Sequence, residues 1–174
     1  GRFGRDDAIA YADALKPYDL RWYEEPADPQ DYALIDELTE RFPNAIATGE
    51  NLFSVQDADN LLRYGGLRPG IDVVQMDAGL SYGLTEYAAM IASLERCGFD
   101  RTAAIPHGGH LLNLHIVTGL GLGGCEAYPE VFQPFGGYSS TCRLIDGRMI
   151  PGDEPGFGLE AKPNLAVEID RIMR

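Results

Sequence analysis

Two adjacent carboxylates, Glu24 and Glu25, follow a short apolar run near the start of the chain. The run, residues 20–23, has the aromatic and apolar composition of a buried strand, and Pro26 ends it because proline has no N–H for a neighbouring strand. Side chains alternate between the two faces of a strand, so one of the two acids is expected to point into any site at this strand end. A lone acidic pair is also typical of a solvated loop.

The same arrangement recurs along the chain, which favours the functional interpretation. Each apolar run is closed by a polar side chain, and these are Glu24, Glu50, Asp77, His107 and Glu126. Successive members are roughly 20 to 30 positions apart, about the length of one strand with its following helix. Because the carboxyl ends of parallel strands meet at one edge of a sheet, we expect the five side chains to converge there.

These residue types suit metal binding and proton transfer. Carboxylate oxygens are the ligands that Mg²⁺ prefers, which makes Glu24 and Glu50 candidate ligands. Asp77 and His107 end consecutive strands, so the acid can hold one ring nitrogen and leave the other free as a general acid or base near neutral pH. A histidine held by loop backbone is the alternative for His107. The two remaining histidines, at positions 110 and 115, are interpreted as structural.

The elements that position these residues alternate between strand and helix over residues 1–128. Apolar periodicity predicts helices over 6–16, 31–42, 56–64, 83–97 and 111–120, with short buried strands at 20–23, 45–47, 72–76, 103–105 and 123–128. Such alternation predicts an α/β fold with a parallel sheet and helices outside it. Residues 129–174 break the pattern, with a hairpin at 144–150 and a helix at 164–173, and are predicted to pack as a separate unit.

Composition excludes several classes of partner. A formal net charge of −13 argues against nucleic acids and anionic membranes, and it requires a cation wherever an anionic substrate binds. The 3 cysteines form no CxxC pair, so neither a zinc site nor a disulfide framework is expected. No apolar run reaches the roughly 18 residues of a membrane span and no signal peptide is recognisable, which predicts a cytoplasmic protein.

Taken together, these motifs resemble the enolase superfamily, mandelate racemase subgroup. The resemblance covers nearly the whole chain and, within the subgroup, is strongest to members that dehydrate D-tartrate. The motifs that carry it are Trp22-Tyr23-Glu24-Glu25-Pro26, Thr48-Gly49-Glu50-Asn51, Asp77, Pro106-His107-Gly108-Gly109-His110 and Phe132-Gln133-Pro134-Phe135-Gly136-Gly137.

The resemblance implies a TIM-like (β/α)7β barrel beside an α+β capping domain. The chain then corresponds to about five carboxyl-terminal βα units of the barrel, with residues 129–174 packing on the capping region. By resemblance, Glu24 and Glu50 are metal ligands, Asp77 and His107 form the catalytic dyad, and the substrate-binding residues are Glu126 and Asn51.

The implied activity is Mg²⁺-dependent dehydration of a sugar acid, with D-tartrate giving oxaloacetate as the expected reaction. A base removes the proton α to the carboxylate, the metal stabilises the resulting enediolate, and His107 helps the β-hydroxyl to leave. Another acid-sugar dehydratase or racemase of the subgroup, or a non-catalytic half-barrel, is the alternative. The full-length form is expected to be a homo-oligomer.

Two family features are expected on the amino-terminal side of Gly1. They are the first metal-ligand aspartate and the Lys-x-Lys motif of an earlier strand that supplies a base. Five strands cannot close an eight-stranded barrel and leave two edges unpaired. The chain by itself is therefore predicted to be inactive.

Overall fold

A computed structural model describes residues 1–174. Helices and short strands alternate through the first two thirds of the chain. The α-helices are α1 Arg5–Leu15, α2 Tyr32–Arg41, α3 Val55–Tyr64, α4 Leu84–Arg96, α5 Leu111–Leu120 and α6 Pro163–Ile172. The strands are β1 Trp22–Glu24, β2 Ala45–Thr48, β3 Val73–Val74, β4 Arg143–Ile145 and β5 Arg148–Ile150, and 3-10 turns span Arg101–Ala103 and Leu159–Ala161. The predicted helices all form, and each end lies within one residue of its prediction.

The first three strands form a parallel sheet in the order β1-β2-β3. The register pairs Tyr23 with Ile46 and Thr48 with Val74, so consecutive strands are neighbours and their carboxyl ends lie at one edge. Each connection is a helix, as parallel pairing requires. The predicted α/β class and parallel sheet are therefore confirmed.

Strands predicted at 103–105 and 123–128 do not form as regular strands, and this part of the prediction is wrong. A 3-10 turn occupies Arg101–Ala103, and Ala104 makes only an isolated parallel bridge to Val74. Pro106 has no N–H, and Gly124 has a φ of +153° that departs from strand geometry. Both segments still follow β3 in order, since Gly123 N–H donates to the Ala104 carbonyl at 3.0 Å.

Two apolar cores hold the helices on the sheet. Sixteen buried residues join α3, α4 and α5 to β3, with Tyr87, Met90 and Leu94 of α4 almost fully enclosed. Eight more join α1 and α2 to β1 and β2, where Phe42 packs edge-on against Tyr23 at 5.8 Å between ring centroids. Burial of these side chains supplies most of the stabilisation that fixes the strand ends.

A buried ion pair fixes the amino-terminal ends of the strands. The fully buried Asp72 side chain accepts from Ile46 N–H at 2.8 Å and pairs with the Arg68 guanidinium at 2.8 Å. Arg68 also donates to the carbonyl oxygens of Phe42 and Asn44, so it ties the segment before β2 to the one before β3. The pair thereby holds the amino-terminal ends of β2 and β3 together.

Beyond residue 128 lie the β4–β5 hairpin and α6, as predicted. Lys162, just before α6, donates to the backbone carbonyls of Pro134 and Gly136, and burial lowers the pKa of its ammonium group. Gly137 N–H donates to the Gly109 carbonyl at 2.8 Å, which joins this region to the loop just before α5. The domain division at residue 128 stays a prediction.

All 3 cysteines of the sequence are free thiols, as expected. None of the helices combines the length and the apolar composition needed to cross a membrane.

Candidate metal centre and acid–base pair

Three carboxylates meet at the carboxyl edge of the sheet. One oxygen each of Glu24, Glu50 and Glu126 lies within 4.8 Å of the others. Glu24 ends β1, Glu50 follows β2, and Glu126 lies in the last extended segment, so residues about a hundred positions apart are joined here only by the fold. None of the three pairs with a lysine or arginine, and His107 is the only basic side chain within ion-pair distance of the group.

Glu24 is held by two neutral donors. Its Oε2 atom accepts from the Trp22 indole N–H at 2.8 Å and from the Gln75 amide at 2.9 Å. Trp22 lies two residues earlier on the same face of β1, and Gln75 follows β3, two strands away. The carboxylate is thus oriented toward the centre of the sheet edge.

Glu25 has a different role from its neighbour, as strand alternation predicts. It has a φ of +41°, and its Oε1 accepts from the Thr48 hydroxyl at 2.7 Å and from Gly49 N–H at 3.1 Å. Its other oxygen accepts from the Asn51 amide at 3.3 Å. Glu25 therefore fixes the loop that carries Glu50. The Asn51 amide also donates to Glu50 Oε1 at 3.4 Å, so the residue predicted to bind substrate contacts a candidate metal ligand.

The carboxyl group of Glu50 has a raised pKa. Burial raises the pKa of its carboxyl, and the negative charges of Glu24, Glu25 and Glu126 raise it further, while His107 opposes the shift. Desolvation of the charged form is the main physical cause, and mutual repulsion of the carboxylates adds to it. A divalent cation would relieve it.

Glu126 joins the carboxylate group to the histidine. Its Oε2 accepts from Gly108 N–H at 3.0 Å and from the Tyr128 hydroxyl, and it lies 4.0 Å from His107 Nε2. Burial, together with the bond to Glu126, raises the pKa of Tyr128 far above its ordinary value, so the hydroxyl stays protonated. Tyr128 was not among the predicted site residues, although its place two residues after Glu126 in an extended segment indicates the same face.

Asp77 and His107 make the contact that the sequence predicts. The distance from His107 Nδ1 to Asp77 Oδ2 is 3.3 Å, and Asp77 is only 2% exposed. Burial alone raises the pKa of Asp77, but contacts with His110, the Gly79 N–H and Asn113 more than offset it and hold the pKa below its ordinary value. The carboxylate is therefore ionised, and His107 Nε2 is left facing Glu126.

The other two histidines differ in position. His110 caps α5, since its Nδ1 accepts from Asn113 N–H at 3.2 Å, but its Nε2 also lies 3.4 Å from Asp77 Oδ1. The prediction that His110 is purely structural is therefore incomplete, because His110 also contacts the acid–base pair. His115 lies in α5 against Phe157, with ring centroids 6.3 Å apart.

An apolar cavity of about 710 Å³ adjoins His107 on the side of Asp77. Its walls come from α5, from the segment 132–136 and from α6, including Leu112, Phe135 and Leu165. The region after residue 128 therefore forms one wall beside the acid–base pair.

A carboxylate group and an Asp–His pair at the carboxyl edge of a parallel α/β sheet define a site of the barrel-enzyme class. Residues 1–165 match the family model described as Enolase C-terminal domain-like, and the chain belongs to this family, within the mandelate racemase subgroup of the enolase superfamily. The resemblance drawn from the motifs is thereby confirmed at the level of the family, and the fold matches the carboxyl-terminal part of its barrel.

The relatives differ from one another in the activities for which they are named. The chain is 28% identical over 95% of its length to a D-galactonate dehydratase family member from Catenulispora acidiphila, covering 39% of that protein. It is 31% identical over 88% of its length to a 3,6-anhydro-alpha-L-galactonate cycloisomerase from Streptomyces coelicolor, covering 40% of it. A crystal structure of L-talarate dehydratase from Polaromonas sp. JS666, complexed with Mg and L-glucarate, matches with a TM-score of 0.73 and 25% identity over 90% of this chain and 40% of that one. The chain thus spans about two fifths of the length of these relatives.

Proposed function

We propose that this chain carries metal ligands and the acid–base pair of a Mg²⁺-dependent acid-sugar dehydratase. The observation that carries the proposal is the placement of three converging carboxylates beside His107, whose other ring nitrogen contacts Asp77. Family membership and the dehydratases among the relatives support the reaction class.

The donor set fits Mg²⁺. Carboxylate oxygens are hard ligands, and their spacing within 4.8 Å is small enough for one cation to be shared. The raised pKa of Glu50 comes first from burial and then from the neighbouring carboxylate charges, which a bound cation would compensate. We assign Glu24 and Glu50 as ligands, and Glu126 as the residue that lies between the cation site and the substrate. A bound Mg²⁺ would supply positive charge opposite a substrate carboxylate as negative charge develops on it.

His107 is the proposed proton donor to the leaving β-hydroxyl. Asp77 accepts from Nδ1 and so fixes the ring orientation and the tautomer. Nε2 then faces the carboxylate group, where it can hold a proton at the place where a bound substrate would lie. Glu126, held by Gly108 N–H and the Tyr128 hydroxyl, is positioned to accept a hydrogen bond from a substrate hydroxyl.

D-tartrate remains the substrate predicted from the motifs, with oxaloacetate as product. The relatives above are named for other sugar acids, so D-tartrate has no support beyond the motifs, while the class of acid sugars has independent support. The relatives' names make galactonate and talarate the first alternative substrates to test.

A substrate panel tests the proposal. The natural polypeptide that carries residues 1–174 is incubated with Mg²⁺ and with D-tartrate, D-galactonate, L-talarate, galactarate or L-rhamnonate, and 2-keto acid formation is measured. We expect one acid sugar to be dehydrated, with loss of activity in H107N and on chelation of Mg²⁺. Residues 1–174 alone are expected to be inactive. Absence of dehydration of every acid in the natural polypeptide would overturn the proposal.

A further inference from the structure

The two carboxylate oxygens of Asp77 have different surroundings. Oδ2 faces His107 Nδ1 at 3.3 Å. Oδ1 accepts from Gly79 N–H at 2.7 Å and from the Asn113 amide at 3.0 Å, and it lies 3.4 Å from His110 Nε2. The donors around Oδ1 therefore set the rotation of the carboxylate and hence the direction of Oδ2.

The protonation of His110 follows from its second contact. Nδ1 accepts the Asn113 N–H at 3.2 Å, so this nitrogen carries no proton. The neutral ring must then carry its proton on Nε2, which is the atom directed at Asp77 Oδ1. The helix cap thus fixes His110 in the tautomer that donates to Asp77.

The backbone around this pair leaves no room for side chains. A Cβ at position 108 would lie 2.6 Å from Asp77 Oδ2 and 2.8 Å from His110 Nε2. A Cβ at position 79 would lie 3.1 Å from the same His110 nitrogen and 3.2 Å from Asp77 Oδ1. Glycines on both sides therefore permit the close approach of His110 and Asp77.

We infer that His110 is a positioning residue that acts on His107 through Asp77. It binds Oδ1, the oxygen that does not face His107, and keeps Oδ2 directed at His107 Nδ1, which leaves Nε2 of His107 free for proton transfer. This inference rests on the proposed function for its catalytic meaning, while its structural content, the tautomer of His107, can be measured independently.

Two substitutions separate the two contacts of His110. In H110N the amide oxygen replaces Nδ1 and still caps α5, but the side chain is too short to reach Asp77. In H110Q the amide nitrogen replaces Nε2 and still donates to Asp77, but the cap is lost. A purely structural role predicts that H110Q is the more damaging substitution, and a positioning role predicts that H110N is.

The first readout is the tautomer of His107 in ¹⁵N-histidine-labelled residues 1–174, recorded at a pH where the rings are neutral. The chain has only 3 histidines, and H115N assigns the third signal. We expect wild type and H110Q to show His107 protonated on Nδ1, and H110N to show a mixture of tautomers. An H110N spectrum in which His107 stays fully protonated on Nδ1 would overturn the inference.

The second readout is kinetic and uses the natural polypeptide with the substrate found in the panel. We expect H110N to lower kcat about 10-fold with little change in KM, since the loss of a positioning contact reduces transition-state stabilisation. H110Q should keep kcat close to wild type and melt about 2 to 4 °C lower. Equal kcat in H110N and wild type would contradict the inference. Inactivity of the wild type on every substrate would refute the proposed function and leave the tautomer result to decide the role of His110.

Discussion

The Nε2 atom of His107 lies 4.0 Å from the Oε2 atom of Glu126. This distance makes the acid–base pair and the carboxylate group one site, because Glu126 also lies within 4.8 Å of Glu24 and Glu50. A carboxylate substrate that bound a cation at this group would lie within reach of His107 Nε2. Several properties of the site follow from this arrangement and can be measured.

Replacement of Glu50 by glutamine should weaken Mg²⁺ binding and stabilise the metal-free protein at neutral pH. The substitution removes one of three converging charges and, with it, both the cost of burying that charge and the repulsion that raises the pKa of Glu50. We expect at least about a 10-fold loss of Mg²⁺ affinity by titration calorimetry, and a higher melting temperature without metal. E40Q, at an exposed position of α2, is the control and should change neither value. Unchanged Mg²⁺ affinity in E50Q would remove Glu50 from the ligand set.

The metal-free protein should lose stability as the pH rises above the ordinary carboxyl pKa. The pKa of Glu50 is raised in the folded state, so folding favours the protonated carboxyl. The contribution is fully present below the ordinary carboxyl pKa and is lost as the pH rises through the raised value. We expect the wild-type melting temperature to fall across this range relative to that of E50Q, and saturating Mg²⁺ to abolish the difference. Parallel pH profiles for the two proteins would contradict the assigned direction of the shift.

Much of this site could be predicted from the sequence, because its residues lie at the ends of predicted strands. Apolar runs ended by Glu24, Glu50, Asp77 and His107 are visible in the sequence, and the parallel topology alone brings such residues to one edge. Helix periodicity was equally informative, since it depends on local spacing. The structure brings together all of the strand-end residues that were predicted to converge.

Contacts between distant segments were not predictable in the same way. The sequence places Tyr128 at the end of a predicted strand and His110 just before a predicted helix, and only the folded backbone brings them onto Glu126 and Asp77. The strands predicted at 103–105 and 123–128 failed for a related reason, because apolar composition does not show that Arg101–Ala103 folds into a 3-10 turn or that Gly124 adopts a φ of +153°. The sequence also left open which acid of the Glu24–Glu25 pair faces the site, and the folded backbone shows that it is Glu24.

Replacement of Gly108 by alanine should damage the site beyond its cost in backbone strain. Gly108 has a φ of +89°, and the added Cβ would lie 2.6 Å from Asp77 Oδ2. Gly70 is the matched control, because its φ is +81° and nothing lies within 4 Å of an added Cβ. We expect G70A to cost about 1 kcal/mol in denaturant unfolding, and G108A to cost more and to abolish activity. Similar losses of stability in the two variants would show that Asp77 moves freely.

Replacement of Asp72 by asparagine should destabilise the whole fold. Asp72 is fully buried and is the anionic partner of Arg68, so its loss leaves a partly buried guanidinium without a counter-charge. We expect a loss of about 3 kcal/mol in the free energy of unfolding, measured with urea. D170N, at an exposed position of α6, should change it by less than about 0.5 kcal/mol. A loss below 1 kcal/mol in D72N would mean that solvent reaches Arg68 and replaces the carboxylate.

Replacement of Tyr128 by phenylalanine should lower activity without unfolding the site. The hydroxyl donates to Glu126, while the ring packs edge-on against Phe132, with centroids 5.1 Å apart, and that packing survives the substitution. Without the donor, the carboxylate can rotate away from the position that Gly108 N–H and His107 define, and its negative charge is less well compensated. We expect kcat/KM to fall about 10-fold while the melting temperature stays within about 2 °C of wild type. Y18F, at an exposed tyrosine, provides the comparison and should be indistinguishable from wild type in both measurements. Wild-type kinetics in Y128F would show that Gly108 N–H alone is sufficient to orient Glu126.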